Sequence, residues 1–201
     1  MIAPVSVASV LFLALVVTPA RASGETEVAV PNVRVGDSWT YRVTDLRTHA
    51  ELSPRTFIVS KIDETTIDTD IRGGPRPSQA FNRDWSGRNY IRSYSFPLQV
   101  GKKWQSNPTF QNQECGETQA LIDAEVATWE DVTVPAGTFR ALRIEHSGTW
   151  TAPKCGTGRT VLRFWYAPDV RRHVKYEESW YNPRGQLNNG MRFELSAFEL
   201  R

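Results

Sequence analysis

The chain has 201 residues, and its 24 Lys and Arg against 22 Asp and Glu leave a formal charge of +2. Such a balance sets up no field that would gather phosphates or anionic lipids, which argues against nucleic acid as a partner. With 40% hydrophobic and 11% aromatic residues, it carries enough apolar material for one sizeable core.

The first predicted element is a secretory leader over residues 1–22. Residues 5 to 17 are almost wholly apolar, and Ala20-Arg21-Ala22 offers small residues to a signal peptidase. The run is shorter than the roughly 20 residues that cross a bilayer, so it reads as a signal rather than a span. No Lys or Arg precedes it, and only the amino terminus supplies positive charge there. The mature protein is expected to begin near Ser23 as one domain over 23–201, periplasmic or extracellular, with no transmembrane span. No cysteine follows the leader, which argues against a lipid anchor.

Beyond the leader, apolar residues recur at every second position and no segment keeps the spacing of an amphipathic helix, so the chain is predicted to be all-β. Trp39, Tyr41 and Val43 share one face, as do Ile67, Thr69 and Ile71, then Leu162, Phe164 and Tyr166, then Val174, Tyr176 and Trp180. One-sided rows of this kind suit antiparallel strands with one face packed and one wet. About ten strands are expected, near residues 37–47, 55–63, 65–72, 78–85, 88–96, 103–113, 117–134, 138–150, 159–167, 172–182 and 190–200. Turn signals fall between them at Asp63-Glu64, Ser86-Gly87, Pro135-Ala136-Gly137, Pro183-Arg184-Gly185 and Asn189-Gly190, as a meander requires. Met191, Phe193 and Leu195 hold one parity while Phe198 and Leu200 hold the other. A bulge near Ser196 would reconcile them.

Two features span the strands. Val35-Gly36-Asp37-Ser38-Trp39 is echoed by Val100-Gly101-Lys102-Lys103-Trp104, which a glycine turn delivering a Trp onto the core face explains. The reading is two similar meanders side by side in one sheet. Cys115 and Cys155, the only cysteines, are expected to form one disulfide in an oxidising compartment. Neither belongs to a Cys-x-x-Cys pair, the usual spacing for redox catalysis or structural zinc.

Complete catalytic sets are missing. Gly36-Asp37-Ser38 looks like the nucleophile block of secreted esterases, but the late Asp169 and His173 are four apart rather than three, and no helices alternate with the strands. His49, His146 and His173 form no ligand-spaced pair, so no metal or cofactor is expected. His146 follows the parity of Leu142 and Ile144 and is expected to be a hydrogen-bonded core histidine. Arg171-Arg172-His173 reads as a turn. Glu178 shares the parity of Tyr176 and Trp180, and a carboxylate on an apolar row must be paired, neutral or at a solvated pocket. A salt bridge to an arginine at the sheet rim is the expectation. No catalytic residue is assigned, and a hydrolase using Ser38, or His146 with Glu178, stands as the rival.

The aromatic content is the better clue to function. Seven tryptophans (Trp39, Trp85, Trp104, Trp129, Trp150, Trp165, Trp180) exceed what a small sheet needs for its core. Core filling on the concave side of a curved sheet is one reading; a groove for an apolar ligand, lined by Trp39, Trp104, Trp165, Tyr176, Glu178 and Trp180, is the other.

The strings Pro97-Leu98-Gln99-Val100-Gly101-Lys102-Lys103-Trp104, Val134-Pro135-Ala136-Gly137-Thr138-Phe139 and Trp165-Tyr166-Ala167-Pro168-Asp169-Val170, the last followed by Val174-Lys175-Tyr176-Glu177, resemble a group of uncharacterised secreted bacterial β proteins. The resemblance spans roughly residues 30–182 and departs at Arg171, where such proteins usually place a glycine. That group is similar to the curved half-barrels of periplasmic lipoprotein carriers. The resemblance implies a single curved antiparallel half-barrel with a hydrophobic or lipid-like ligand on its concave face. Its motifs are turn and core residues, which transfer fold rather than activity. The expected function is therefore an exported, non-catalytic β domain that binds such a ligand, with a structural or protein-interaction module of the cell envelope as the alternative.

Overall fold

The computed structural model describes residues 27–83 and 91–201; the leader, Trp85 and the Ser86-Gly87 turn lie outside the described residues. Alternating burial is clearest in the three consecutive strands between residues 116 and 167. In β7 (Gly116–Val134) buried Thr118, Ala120, Ile122, Ala124 and Val126 alternate with exposed neighbours, the period-two pattern of a sheet with one packed face. The other strands are β1 (Ser38–Asp45), β2 (Glu51–Ile62), β3 (Thr66–Arg72), β4 (Ser78–Asn82), β5 (Lys103–Ser106), β6 (Thr109–Asn112), β8 (Gly137–Ala152), β9 (Gly156–Ala167), β10 (Arg172–Tyr181) and β11 (Leu187–Glu199). These eleven described strands form one open sheet in the order β4-β3-β2-β1-β11-β10-β9-β8-β7-β5, with β6 also pairing β7. All the pairings are antiparallel, as the all-β meander requires. The expected strand at 103–113 divides around Pro108, which has no N–H to give the ladder.

The strand order explains a second departure. β4 and β5 are consecutive in the chain yet lie at opposite edges, so the chain must return from one edge to the other. The described part of that return, residues 91–98, is not the expected strand near 88–96. It lies across the packed face instead. Tyr94 and Leu98 are buried there, and Leu98 exchanges hydrogen bonds with Val28. A single sheet cannot bury its apolar face alone. This strap, together with Val33 and Val170, supplies the second layer, and Trp39, Tyr41, Ile144, Leu162 and Tyr166 pack beneath it in one core.

The two echoed strings begin the two meanders, β1–β4 and β5–β11. Gly36 and Gly101 both adopt left-handed φ, +93° and +84°. In each, the residue after the glycine donates to the carbonyl three back, Asp37 to Arg34 and Lys102 to Gln99. The glycine N–H goes to the next strand, at Val59 or Val126, whose own N–H returns to Asp37 or Lys102. The bulge falls where the parity break places it: Thr40 pairs Ala197 and Tyr41 pairs Leu195, leaving Ser196 as the extra residue. Arg171, standing where a glycine is usual, takes a left-handed φ of 59° after a short 3-10 turn, Pro168–Val170. Its guanidinium reaches buried Asp37 at 3.0 Å, an ion pair that offsets the backbone strain. Asp37 also accepts the main-chain N–H of Arg34 and of Arg201, tying the first turn to the chain end. Cys115 and Cys155 are joined, which links the β6–β7 turn to the β8–β9 turn.

Candidate functional site

On the concave face the limb β2–β4 and the limb β9–β11 lean over a cavity of about 420 Å³. Phe57, Ile71 and Phe81 contribute one wall, and Leu162, Phe164, Tyr176 and Phe193 the other. Ile91 and Ser93 of the strap and Phe110 of β6 close its sides. The rings hold one another in place: Phe164 stacks on Tyr176 at 4.5 Å between centroids, and Tyr176 meets Phe193 at 5.5 Å. Such contacts stiffen a pocket beyond the area they bury.

Arg55, Arg76, Gln79, Ser93, Arg172, His173 and Glu178 are the polar residues of its lining, and Glu178, Arg55 and Arg172 are held in defined ways. Glu178 accepts hydrogen bonds from the Tyr176 hydroxyl and the Trp180 indole, its neighbours two residues away on β10. Burial raises its carboxyl above the usual range, partly offset by those donors and by the Arg55 charge. Among the described residues no cation lies within ion-pair distance of it, so the expected salt bridge at the sheet rim is replaced by a phenol and an indole inside the cavity. Arg55 lies with its guanidinium 5.1 Å from the Phe193 centroid. Arg172 is not part of a turn: it opens β10 and is buried, its guanidinium 4.6 Å from the Phe57 centroid and 5.0 Å from that of Trp39. These are cation–π distances.

His173 sits at the floor. Burial first, and the Arg172 charge second, hold its pKa well below the usual value, so the ring is neutral and Nδ1 can accept from the Tyr94 hydroxyl at 2.7 Å. Tyr41 donates to the His173 carbonyl at 2.8 Å. The strap is thus fastened to the sheet through its one buried phenol. His146 is buried as its parity requires, edge-on to Trp104 and Phe164. It is not the hydrogen-bonded core histidine expected: neither ring nitrogen reaches a partner at bonding geometry, although the Ser93 main chain lies close. Burial pushes its pKa down to about 4.

The six expected groove residues part company. Tyr176, Glu178 and Trp180 line the cavity together. Trp39 is fully buried beneath Arg172, its indole donating to the Val170 carbonyl at 2.8 Å. Trp104 lies under the strap and donates to the Arg92 carbonyl at 2.9 Å. Trp165 is on the convex face: it pairs in register with Arg143 and Lys175, donates to Glu130 at 2.5 Å and lies under the Lys175 ammonium. Its parity is opposite to that of Phe164 and Tyr166, so the alternation itself carried the signal. Phe164 and Phe193 were legible as members of apolar rows but not as pocket walls. Arg55, Arg172 and the strap residues had no local signature.

Ser38 pairs in register with Ile58 and Glu199, on the face opposite Trp39, whereas His146 and Glu178 face the concave side. The sheet therefore separates the serine from both. Among the described residues no three His, Cys, Asp or Glu are grouped to hold a metal, and no helix is long and apolar enough to cross a membrane.

No protein family and no curated protein matches the chain. Two solved structures do. One, provisionally described as a lipoprotein of Parabacteroides distasonis, is 14% identical, covers 87% of this chain and 100% of its own, and superposes with a TM-score of 0.53. The other, provisionally described as an exported Bacteroides fragilis protein with a YmcC-like fold, is 15% identical over 87% of this chain and 100% of its own, with a TM-score of 0.48. At these identities the first likeness establishes a shared fold and nothing finer.

Proposed function

We propose that this chain is an exported, non-catalytic β domain that holds a hydrophobic, lipid-like molecule in the concave cavity. The apolar leader and the single disulfide support export to an oxidising compartment. The observation that carries the binding reading is the cavity itself: about 420 Å³, within the roughly 300–1,000 Å³ of small-molecule sites, and walled mainly by aromatic and aliphatic side chains, with charged and polar groups set among them. Glu178 and Arg55 would orient the polar end of such a ligand, while the stacked Phe164 and Tyr176 would take its apolar part.

Native mass spectrometry of the mature protein purified from cells tests this. A retained adduct of lipid mass that is released by organic solvent is expected. A protein that emerges empty and takes up no hydrophobic dye would overturn the reading in favour of an envelope interaction module.

A further inference from the structure

A second hollow, of about 480 Å³, opens beyond the wall that Phe110 and Trp180 make at the end of the concave cavity. Those two rings meet edge to face at 5.8 Å, and Trp150 completes the aromatic floor. The rest of the lining has a different character. Gln111, Asn112, Gln113, Asn188 and Asn189 bring five side-chain amides to it, the oxygen of Asn112 being committed to the β6–β7 turn, and Thr118 adds a hydroxyl. Glu114 is the one charged side chain among the described residues that line it.

We propose that this second hollow is a binding site for a neutral saccharide. Each amide places a donor beside an acceptor, which matches a hydroxyl, itself both donor and acceptor. The indoles offer no competing polar group. Trp150 spends its N–H on the Tyr181 carbonyl at 3.1 Å, and the Trp180 N–H is turned to Glu178 in the neighbouring cavity. Only ring surface is left for the ligand, suited to the C–H faces of a pyranose. Trp150 is 7% exposed, so the half-buried Phe110 and Trp180 carry most of the open ring surface. A lone carboxylate with no lining Lys or Arg disfavours an anionic ligand.

The site is also held in shape. Gly158 has no Cβ, and one built there would stand 2.5 Å from the Trp150 ring, so the glycine lets the indole lie flat against β9. Asn112 Oδ1 accepts the N–H of Glu114 and of Cys115, which fixes the β6–β7 turn, and the disulfide ties that turn to the next. Asn189 stands directly across from Trp180 in the β10–β11 register, so an amide and a ring share one face. Preorganisation of this kind lowers the ordering cost of a weakly bound polar ligand.

The test is a titration of the mature protein with cellobiose, chitobiose and maltose, followed by ¹H–¹⁵N correlation spectra. At least one disaccharide is expected to shift the side-chain amide resonances of Gln113 and Asn189 together with the Trp150 indole N–H. The double variant Gln113→Ala, Asn189→Ala, both on the exposed rim, should keep a dispersed spectrum and bind about tenfold more weakly, the loss of two neutral hydrogen bonds. Absence of amide shifts with all three sugars would overturn the proposal. So would shifts of equal affinity in the double variant.

Discussion

His146 shows what a single side chain contributes when the fold gives it a place but no partner. The unfolded chain binds its proton near pH 6.5, whereas the buried ring holds off until about 4. The stability owed to the neutral ring is therefore complete above pH 6.5 and lost as pH falls toward 4, a loss of about 3 kcal/mol by linkage. His173, its pKa also lowered by burial, acts in the same sense. Glu178, its pKa raised, acts in the opposite one, stabilising at low pH and losing that contribution as pH rises through its folded value. Urea unfolding at several pH values should show stability dropping between pH 6.5 and 4. In His146→Leu the slope in that window should fall by about one proton per molecule. An unchanged slope would mean that the ring does not stay neutral in the fold. The parity of His146 with Ile144 was readable from the chain. Its neutrality was not, because the desolvating groups, Trp104 and Phe164, arrive from two other strands.

At the scale of elements, turn chemistry was legible at the glycine turns. Asn189-Gly190, expected as a turn, lies instead inside β11 and pairs with Trp180 and Ser179 of β10, the hairpin turn falling earlier at Pro183-Arg184-Gly185. Val-Gly-x-x-Trp specified the same hydrogen-bonded turn twice, since a left-handed residue calls for glycine wherever nothing else supports it. Two described non-glycine residues, His49 and Arg171, also take left-handed φ, and for Arg171 tertiary contact allows it, its strain offset through Asp37. The pairing of Cys115 with Cys155 was equally legible, since only one pairing is available in the chain. The bridge closes a loop of 40 residues between two hairpin turns. Chain entropy assigns that about 4 kcal/mol. The double variant Cys115→Ser, Cys155→Ser should lower the denaturation midpoint by that equivalent, and the reduced wild type should match it. A loss below about 1 kcal/mol would show that the hairpins are already held together in the unfolded ensemble. The break at Pro108 was a signal the expected strand passed over, since proline gives the ladder no N–H, and the one expected strand became β5 and β6 along the same partner, β7.

The whole molecule depends on the strap. The return from one sheet edge to the other places Tyr94 against Phe96, Phe164, Tyr166 and His173, and without that layer the concave face would stand open. Replacing Tyr94 with Ala removes both the ring contacts and the bond to His173, at a cost of about 3–5 kcal/mol. The enlarged hollow should bind a hydrophobic dye more strongly than the wild type does. Hydrogen exchange in residues 91–98 should accelerate more than in β8. Equal exchange in both would show that the strap does not open independently of the sheet.

The period-two alternation, read along the chain, determined most of the strands, their packed faces and the bulge at Ser196, because backbone geometry acts on neighbours one or two residues apart. It also held the correct side for Trp165, which the aromatic count alone misassigned. Only the tertiary structure decided the cavity, because its walls come from β2–β4 and β9–β11, brought together by sheet curvature and strand order rather than by any spacing in the sequence. The same holds for the strap. Its residues alternate no differently from a strand, and only the need to carry the chain between the two edges of one open sheet lays them across its face.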